Sequence, residues 1–371
     1  MLARLTPGFF LLALAAAVAA CSSNQTSTPS SGGVPGIGPN FPTNTVYVAD
    51  TTGEVIDIFA VNPATGAVPQ YAISGSNTAM NGPQYLAFGS NKNLYVTNYN
   101  AAQSTSSILQ FATYATGNVL PVNTFALGSN EHPRGIGMLP GLENFAVAVT
   151  NPGNVFSDQL LIYDNGLLTT DIAGSNTLLN VPSGVAVKGG NSIYVADSGS
   201  AAVTVYLTPS PGPSPTVTPA PVATPTATPT PVGATPSPTA TPAPSSDNIA
   251  PVTVVTGPAT TLSAPMGVAL DSAGNLYVAD AGAPAARILV FAAPGPGVQN
   301  VAPIRSITSA SLIDPMDVKV DAAGLIYVVD RGASPSGSSK LLVFSATANG
   351  LSTPQADVAL SGADTGLALS P

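Results

Sequence analysis

The sequence predicts an all-β fold, a six-bladed β-propeller, and three observations predict it. One phrase recurs six times along the 371 residues. The runs within it are short, rich in Val, Ile and Tyr, and bounded by Gly, Asn and Asp, which is strand-and-turn chemistry. The two ends of the chain are also complementary pieces of one repeat. The phrase is clearest as Pro265-Met266-Gly267-Val268-Ala269-Leu270-Asp271-Ser272-Ala273-Gly274-Asn275-Leu276-Tyr277-Val278-Ala279-Asp280, and again from Pro315 to Asp330. Its period of about 45–53 residues is that of one four-stranded blade.

Within each copy the first strand (Gly267 to Leu270) enters the turn Asp271-Ser272-Ala273-Gly274. Asp opens such a turn by bonding the backbone, and Gly closes it because it tolerates positive φ. The second strands are Val46–Asp50, Leu94–Asn98, Val147–Asn151, Ile193–Asp197, Leu276–Asp280 and Ile326–Asp330. Third strands follow at Ile108–Phe111, Leu160–Tyr163, Ile288–Phe291 and Leu341–Phe344. The outer strand is the least regular, as in Pro303–Thr308. Blade one starts at Thr45-Val46-Tyr47, already in its second strand, and the chain ends in Asp364–Leu369, a first strand with nothing after it. Joining them closes the ring and removes the open sheet edges. The mature chain shows no helical periodicity.

Before the repeats, Arg4 precedes an apolar run from Phe9 to Ala20, about a dozen residues where a membrane span needs about 20. Val18-Ala19-Ala20-Cys21 resembles the lipobox of bacterial lipoproteins. The resemblance implies that residues 1–20 are a signal peptide, that Cys21 carries lipid, and that the protein is extracytoplasmic. With Ser22 after the cysteine it implies the outer membrane or cell surface. Cys21 is the single cysteine, so no intramolecular disulfide forms. Residues 21–43, rich in Ser, Thr, Gly, Pro and Asn, read as a flexible tether. The propeller takes residues 44–371.

Residues 209–246 interrupt blade four between its third strand (Val203 to Leu207) and its outer strand (Pro251 to Thr256). Their Pro and Thr content predicts a disordered, polyproline-like insertion that reaches on the order of 100 Å when fully extended. Such a loop is a tolerated surface insertion, or alternatively a glycosylated arm or spacer.

The phrase P-x-G-V-A, then D-x-x-G-N-L-Y-V-A-D and a third strand ending in Phe, resembles the NHL repeat. The match covers 44–371 outside the insertion. It is most specific in blades five and six, and weakest in blade three, where His132-Pro133-Arg134-Gly135-Ile136-Gly137-Met138 lacks the usual turn. The resemblance implies a propeller family that most often binds and less often catalyses; it names no ligand.

Composition narrows the function. The net charge is −9 and Lys and Arg number only 9, so no basic groove for nucleic acid exists. The Gly36-Ile37-Gly38 stretch lies in the tether and is no nucleotide loop. The single His132 excludes sites that need several imidazoles, and no serine stands in a nucleophile elbow.

Two candidate sets remain. Asp50, Asn98, Asn151, Asp197, Asp280 and Asp330 end the second strands, one per blade. As hard oxygen ligands they invite a calcium hypothesis; as recurring Asp and Asn they more simply cap the turn that follows. No other cofactor is expected. The second set, Gln84, Arg134, Ser183, Met266, Met316 and Thr365, opens the inner strands and is expected around the channel mouth with His132. It varies from blade to blade, as a binding surface would. The Glu, two Asn and Asp that gluconolactonase-like propellers use for metal have only loose counterparts in Glu131, Asn98, Asn151 and Asp314. The sequence thus points to a monomeric, lipid-anchored binding scaffold for a protein, peptide or envelope glycan. A calcium-dependent lactonase-like hydrolase and a stalked display or adhesion protein are the alternatives.

Overall fold

Runs of alternating and fully apolar residues form strands throughout, and the described residues contain no helix. The computed structural model describes residues 44–128, 131–151, 158–208, 246–282, 286–333 and 338–371. All of them belong to one unit, Gly36–Pro371. Cys21, the signal and tether residues and all but the last residue of the 209–246 insertion lie outside them.

Blade one begins with β1 (Thr45–Asp50), β2 (Val55–Ala60) and β3 (Tyr71–Ile73). Blade two is β4 (Pro83–Phe88), β5 (Leu94–Asn100), β6 (Thr105–Phe111) and β7 (Asn123–Ala126). Blade three is β8 (His132–Met138), β9 (Phe145–Thr150), β10 (Gln159–Asp164) and β11 (Leu167–Ala173). Blade four has β12 (Pro182–Lys188), β13 (Ser192–Asp197), β14 (Ala202–Leu207), a short β15 (Ser246–Asp247) and the outer β16 (Thr253–Val255). Blade five has β17 (Pro265–Leu270), β18 (Leu276–Asp280), β19 (Arg287–Phe291), a short β20 (Gly297–Gln299) and the outer β21 (Arg305–Thr308). Blade six has β22 (Pro315–Val320), β23 (Ile326–Asp330), β24 (Lys340–Phe344), a short β25 (Gly350–Leu351) and the outer β26 (Ala356–Ala359), and β27 (Asp364–Leu369) ends the chain.

β27 pairs antiparallel with β1, from Val46↔Leu369 to Ala49↔Gly366, giving the sheet order β27-β1-β2-β3. The ring therefore closes through one blade built from both ends, as the repeat phase predicts.

No periodic signal in the chain marks how the blades interlock. β15, β20 and β25 leave their own blades between the third and outer strands. Each adds in parallel to the outer strand of the preceding blade, on β11, β16 and β21 respectively. Gly117 makes the same parallel bridge to Ile73. After three of these crossings an Asn side chain locks the junction. The Oδ1 atoms of Asn118, Asn248 and Asn300 accept the amides of Asn77, Asn176 and Ala259 at 2.7, 2.8 and 2.8 Å. Gly75, Gly174 and Gly257 sit beneath them at φ 115°, 111° and 107°, where any Cβ would strike the Asn side chain.

The core lies between blades. Ile56 and Ile58 of blade one pack on Leu94, Val96, Leu109 and Phe111 of blade two. On their other side, Val46, Val48 and Phe59 pack on Tyr327, Leu341 and Val343 of blade six. The aromatic at the end of each third strand (Phe59, Phe111, Tyr163, Tyr206, Phe291, Phe344) is buried in every blade, each contributing about 1.5–3 kcal/mol.

Candidate functional site

Four inner strands carry Gly at the same position (Gly135, Gly184, Gly267, Gly366), and a Cβ there would strike the backbone of the next inner strand. The other two blades place Tyr85 and Asp317 at that level. Close backbone approach around the ring leaves space for one large side chain, and Tyr85 fills it. Its hydroxyl lies 3.0 Å from Ser183 Oγ of blade four and donates to the Met316 carbonyl of blade six at 3.3 Å. Burial pushes this phenol up to about 12, so it stays neutral. Asp317 is buried beside it and accepts the amides of Val318 and Leu367 at 2.9 and 3.1 Å. Lys319 Nζ donates to both its oxygens at 2.7 and 2.8 Å. Burial raises the Asp317 pKa and Lys319 acts against that rise. The channel is therefore closed across its middle by a hydrogen-bonded tyrosine.

This closure reshapes the expected channel mouth. Ser183, Met316 and Thr365 are buried in the channel wall, while Gln84, Arg134 and Met266 are half-buried. Thr365 Oγ1 donates to the Gln84 carbonyl at 3.0 Å and tightens the seam between blades one and two. Arg134 Nε and Gln84 Oε1 have no hydrogen-bond partner among the described residues. His132 packs against Tyr99 with ring centroids 3.8 Å apart and the rings tilted by 34°. Burial and the Arg134 charge hold its pKa below the usual histidine value. The face of varied chemistry thus reduces to Gln84, Arg134, Met266 and His132.

The strand-end acids and amides face the backbone of their own loops. Asp50 Oδ1 accepts the amides of Thr52 and Gly53 at 3.0 and 2.8 Å, which is the expected turn cap. The others reach back to the loop that precedes the inner strand. Asn98 takes the amide of Asn81 at 2.7 Å, and Asp197 that of Asn180 at 2.8 Å. Asp280 takes Ser263 and Ala264 at 3.0 and 2.7 Å. Asp330 takes Ile313 and Asp314 at 2.7 and 3.0 Å, and Gly332 of the following turn at 2.8 Å. Arg287 also pairs with Asp280 at 3.2 Å. In blade three the second strand is Phe145–Thr150, so Asn151 falls just after it instead of ending it, and there Asp158 supplies the carboxylate. Asp158 accepts the amides of Asn151 and Val181 at 2.9 and 2.6 Å. Sequence reasoning missed Asp158 because it stands outside the repeated position.

The loose lactonase-like set is engaged in the same way. Glu131 holds the Gly128 amide at 2.7 Å, and Asp314 pairs with Arg331 at 2.7 Å. Among the described residues no group of three or more His, Cys, Asp and Glu is arranged to hold a metal ion.

Two crevices and a funnel complete the concave surface. In blade four a cavity of about 410 Å³ lies between the loop before β12 and the β13–β14 hairpin, walled by Leu178, Asn180, Ala202 and Thr204. Its counterpart in blade two, about 280 Å³, is walled by Asn81, Asn98, Asn100, Gln103, Thr105 and Ser107. The funnel opens at the opposite end of the channel. It measures about 360 Å³ and is lined by Phe88, Met138, Val187, Leu270 and Leu369, with Lys319 as its one charged residue. Its signal in the sequence is the apolar residues at alternate positions toward the end of the first strands, such as Leu86 and Phe88 or Val268 and Leu270.

Closed ring, four-stranded blades and shared-blade closure define the class: a six-bladed β-propeller. No protein-family model matches the chain, and none of the curated proteins matches its sequence. Solved structures do. A chain of a nidogen–laminin complex superposes with a TM-score of 0.52 at 12% identity, covering 88% of this chain and 98% of that one. The periplasmic gluconolactonase of Pseudomonas aeruginosa superposes with a TM-score of 0.52 at 10% identity, covering 88% and 99%. At such identities the likeness is one of fold.

Proposed function

We propose that the protein is a lipid-anchored, extracytoplasmic binding scaffold for a protein, peptide or envelope glycan, with no chemistry of its own. One observation supports this reading most. The carboxylates best suited to activating water or holding a cation (Asp50, Asp158, Asp197, Asp280 and Asp330) are held by loop amides. The NHL-like repeat and the lipobox-like Val18-Ala19-Ala20-Cys21 agree with it. Binding would use a rigid surface, because parallel strands pin blade four to three, five to four and six to five, and Asn side chains lock three of the junctions. A rigid surface loses little entropy on association.

The test combines three measurements on the full chain. Mass spectrometry of the Cys21 peptide should find a diacylglyceryl group; an unmodified thiol would overturn the anchor. Retention on peptidoglycan fragments or immobilised envelope protein should fall at least tenfold when Gln84, Arg134 and Met266 are all changed to Ala. It should be unchanged when residues 209–244 are deleted, whereas loss with that deletion would favour the display reading. Hydrolysis of sugar lactones in millimolar calcium should be absent. Turnover that a chelator abolishes would replace the scaffold with the lactonase-like alternative.

A further inference from the structure

Each blade ends in an outer strand with one edge turned away from the sheet, and five of the six edges are covered. β15, β20 and β25 cover β11, β16 and β21. Gly117 covers β3: its amide donates to the Ala72 carbonyl at 2.6 Å, and its carbonyl accepts the Ser74 amide at 3.1 Å. On β26 the Asp357 carbonyl accepts the Gly66 amide at 3.3 Å, and Thr65 Oγ1 accepts the Asp357 amide at 3.3 Å. In every case the cover is the third-to-outer connection of the following blade. β7 of blade two has no such cover among the described residues. Blade three joins β10 to β11 by the two-residue turn Asn165-Gly166, at φ 49° and 74°, the tight hairpin that Asn-Gly favours. That turn lies beside Phe125 and leaves no chain to cross to β7.

The open edge shows in exposure and in hydrogen bonding. Outer strands align at the amide that first reaches the third strand, from Gln70, Val122, Val252 and Ile304. Thr124 and Ala126 are both exposed, whereas their counterparts Ala72 and Ser74, Val254 and Thr256, and Ser306 and Thr308 are half-buried. The Leu127 amide donates to the Ser106 carbonyl at 3.1 Å, so Asn123, Phe125 and Leu127 bond inward to β6. Alternate residues bond to opposite edges, so Thr124 and Ala126 present theirs outward. The Thr124 carbonyl and the Ala126 amide, the groups that Gly117 fills on β3, have no partner among the described residues. The Thr124 amide takes Asn123 Oδ1 of its own strand at 2.9 Å. Its counterparts Asp357 and Ser306 take oxygens of the arriving segment, Thr65 Oγ1 and Asn349 Oδ1.

We propose that β7 receives an extended, basic segment of a partner protein, added in parallel as Gly117 adds to β3. An uncovered strand edge is a template for such addition, and main-chain bonds supply its affinity. The covered edges show what the paired residues are. Gly117, Gly297-Val298-Gln299 and Gly350-Leu351 are small, aliphatic or polar, and none is proline. Charge sets the flanks. Glu131 follows β7 and holds the Gly128 amide, while Glu143 and Asp164 border the Asn165-Gly166 turn beside Phe125. None of these three acids forms a salt bridge among the described residues. Lys or Arg on either side of the paired residues complements them. A second copy of this chain would bring the same acids and a net charge of −9 to the seam, so the edge suits a different protein. The edge lies on an outer strand, whereas Gln84, Arg134 and Met266 belong to inner strands. The inference therefore goes beyond the channel-mouth surface and does not depend on it.

The probe is the dye-labelled peptide Lys-Lys-Gly-Val-Gln-Asn-Lys-Lys, titrated by fluorescence anisotropy into the full chain carrying Cys21→Ser. Binding should saturate and should slow hydrogen exchange across residues 122–127, leaving the filled edges at Ser74 and Thr256 unchanged. Ala126→Pro removes the outward amide and keeps the bonds to β6, as proline on an edge strand can. It should weaken binding about tenfold, with an unchanged melting curve showing an intact ring. Glu131→Gln with Glu143→Gln leaves the backbone of the edge alone and should also weaken binding, as should replacing the probe's lysines by glutamates. Equal affinity for the native chain and a folded Ala126→Pro chain would mean charge attraction without strand addition and overturn the proposal. No binding at millimolar probe would overturn it too. Dimerisation of the chain that Ala126→Pro abolishes would seat a second copy on β7 and overturn the stated partner.

Discussion

Blade one and blade five solve the same packing problem with different side chains. In blade five the inner strand starts at Pro265, the third strand buries Leu289, and Asp280 has loop amides and Arg287 as partners. In blade one the corresponding positions are Asp364, Asp57 and Asp50, all buried. Burial and the neighbouring Asp50 push Asp57 up to about 6. Burial, then Asp50 and Asp57, push Asp364 up to about 7. The ring thus closes by backbone pairing at the junction where side chains favour it least. Two buried carboxyls therefore make this closure sensitive to protonation.

Breaking blade five to resemble blade one gives the largest effect. Leu289→Asp introduces a buried carboxyl without partners and should cost about 4 kcal/mol by chemical denaturation. A cost below about 1 kcal/mol would mean the site is open to water.

The pH dependence comes next. The folded pKa values of Asp57 and Asp364 lie above the ordinary aspartate value, so the native state binds these protons more tightly than the unfolded chain. The unfolded chain loses them near pH 4, whereas the folded chain loses them near 6 and 7. Their contribution is therefore present at low pH and is lost as pH rises from about 4 through about 7. The melting temperature should fall by several degrees over that range, with Asp197, pushed up to about 8 by burial, extending the decline. Asp57→Leu with Asp364→Asn should flatten the part below pH 7; an unchanged slope would remove the pair from the account.

Repairing blade one is smaller. Asp57→Leu, which restores the residue found in most other blades, should stabilise the protein by about 2 kcal/mol at pH 8. The smallest effect is at the interlock. Asn300→Ala removes the bond to the Ala259 amide and should cost about 1 kcal/mol, measured by urea midpoint.

Much of this architecture was legible in the chain. Repeat phase located all the second strands and the shared closing blade, because a propeller's strand-and-turn pattern is local. The Pro near the start of five of the six inner strands marked the channel wall. Long-range features were not legible. Tyr85 bridges blades two, four and six, and its role depends on glycines in other repeats. The parallel additions of β15, β20 and β25 involve two- or three-residue strands without a periodic signal. Of the strand-end residues expected to cap the turn that follows, Asp50 and Asp330 do so. Asn98, Asp197 and Asp280 instead reach back to the preceding loop, as from Asp280 to Ser263, which needs the tertiary structure.

That these strand-end carboxylates build loops and form no cation site is open to a direct test. The most direct measurement is the melting temperature of the full chain in millimolar calcium and then in excess chelator. The curves should coincide, because the amides of Thr52, Asn180, Ser263 and Ile313 each hold one oxygen of these carboxylates. Saturating a site at a hundred times its Kd would add about 2.7 kcal/mol. A calcium-dependent rise of that size, reversed by chelator, would contradict it.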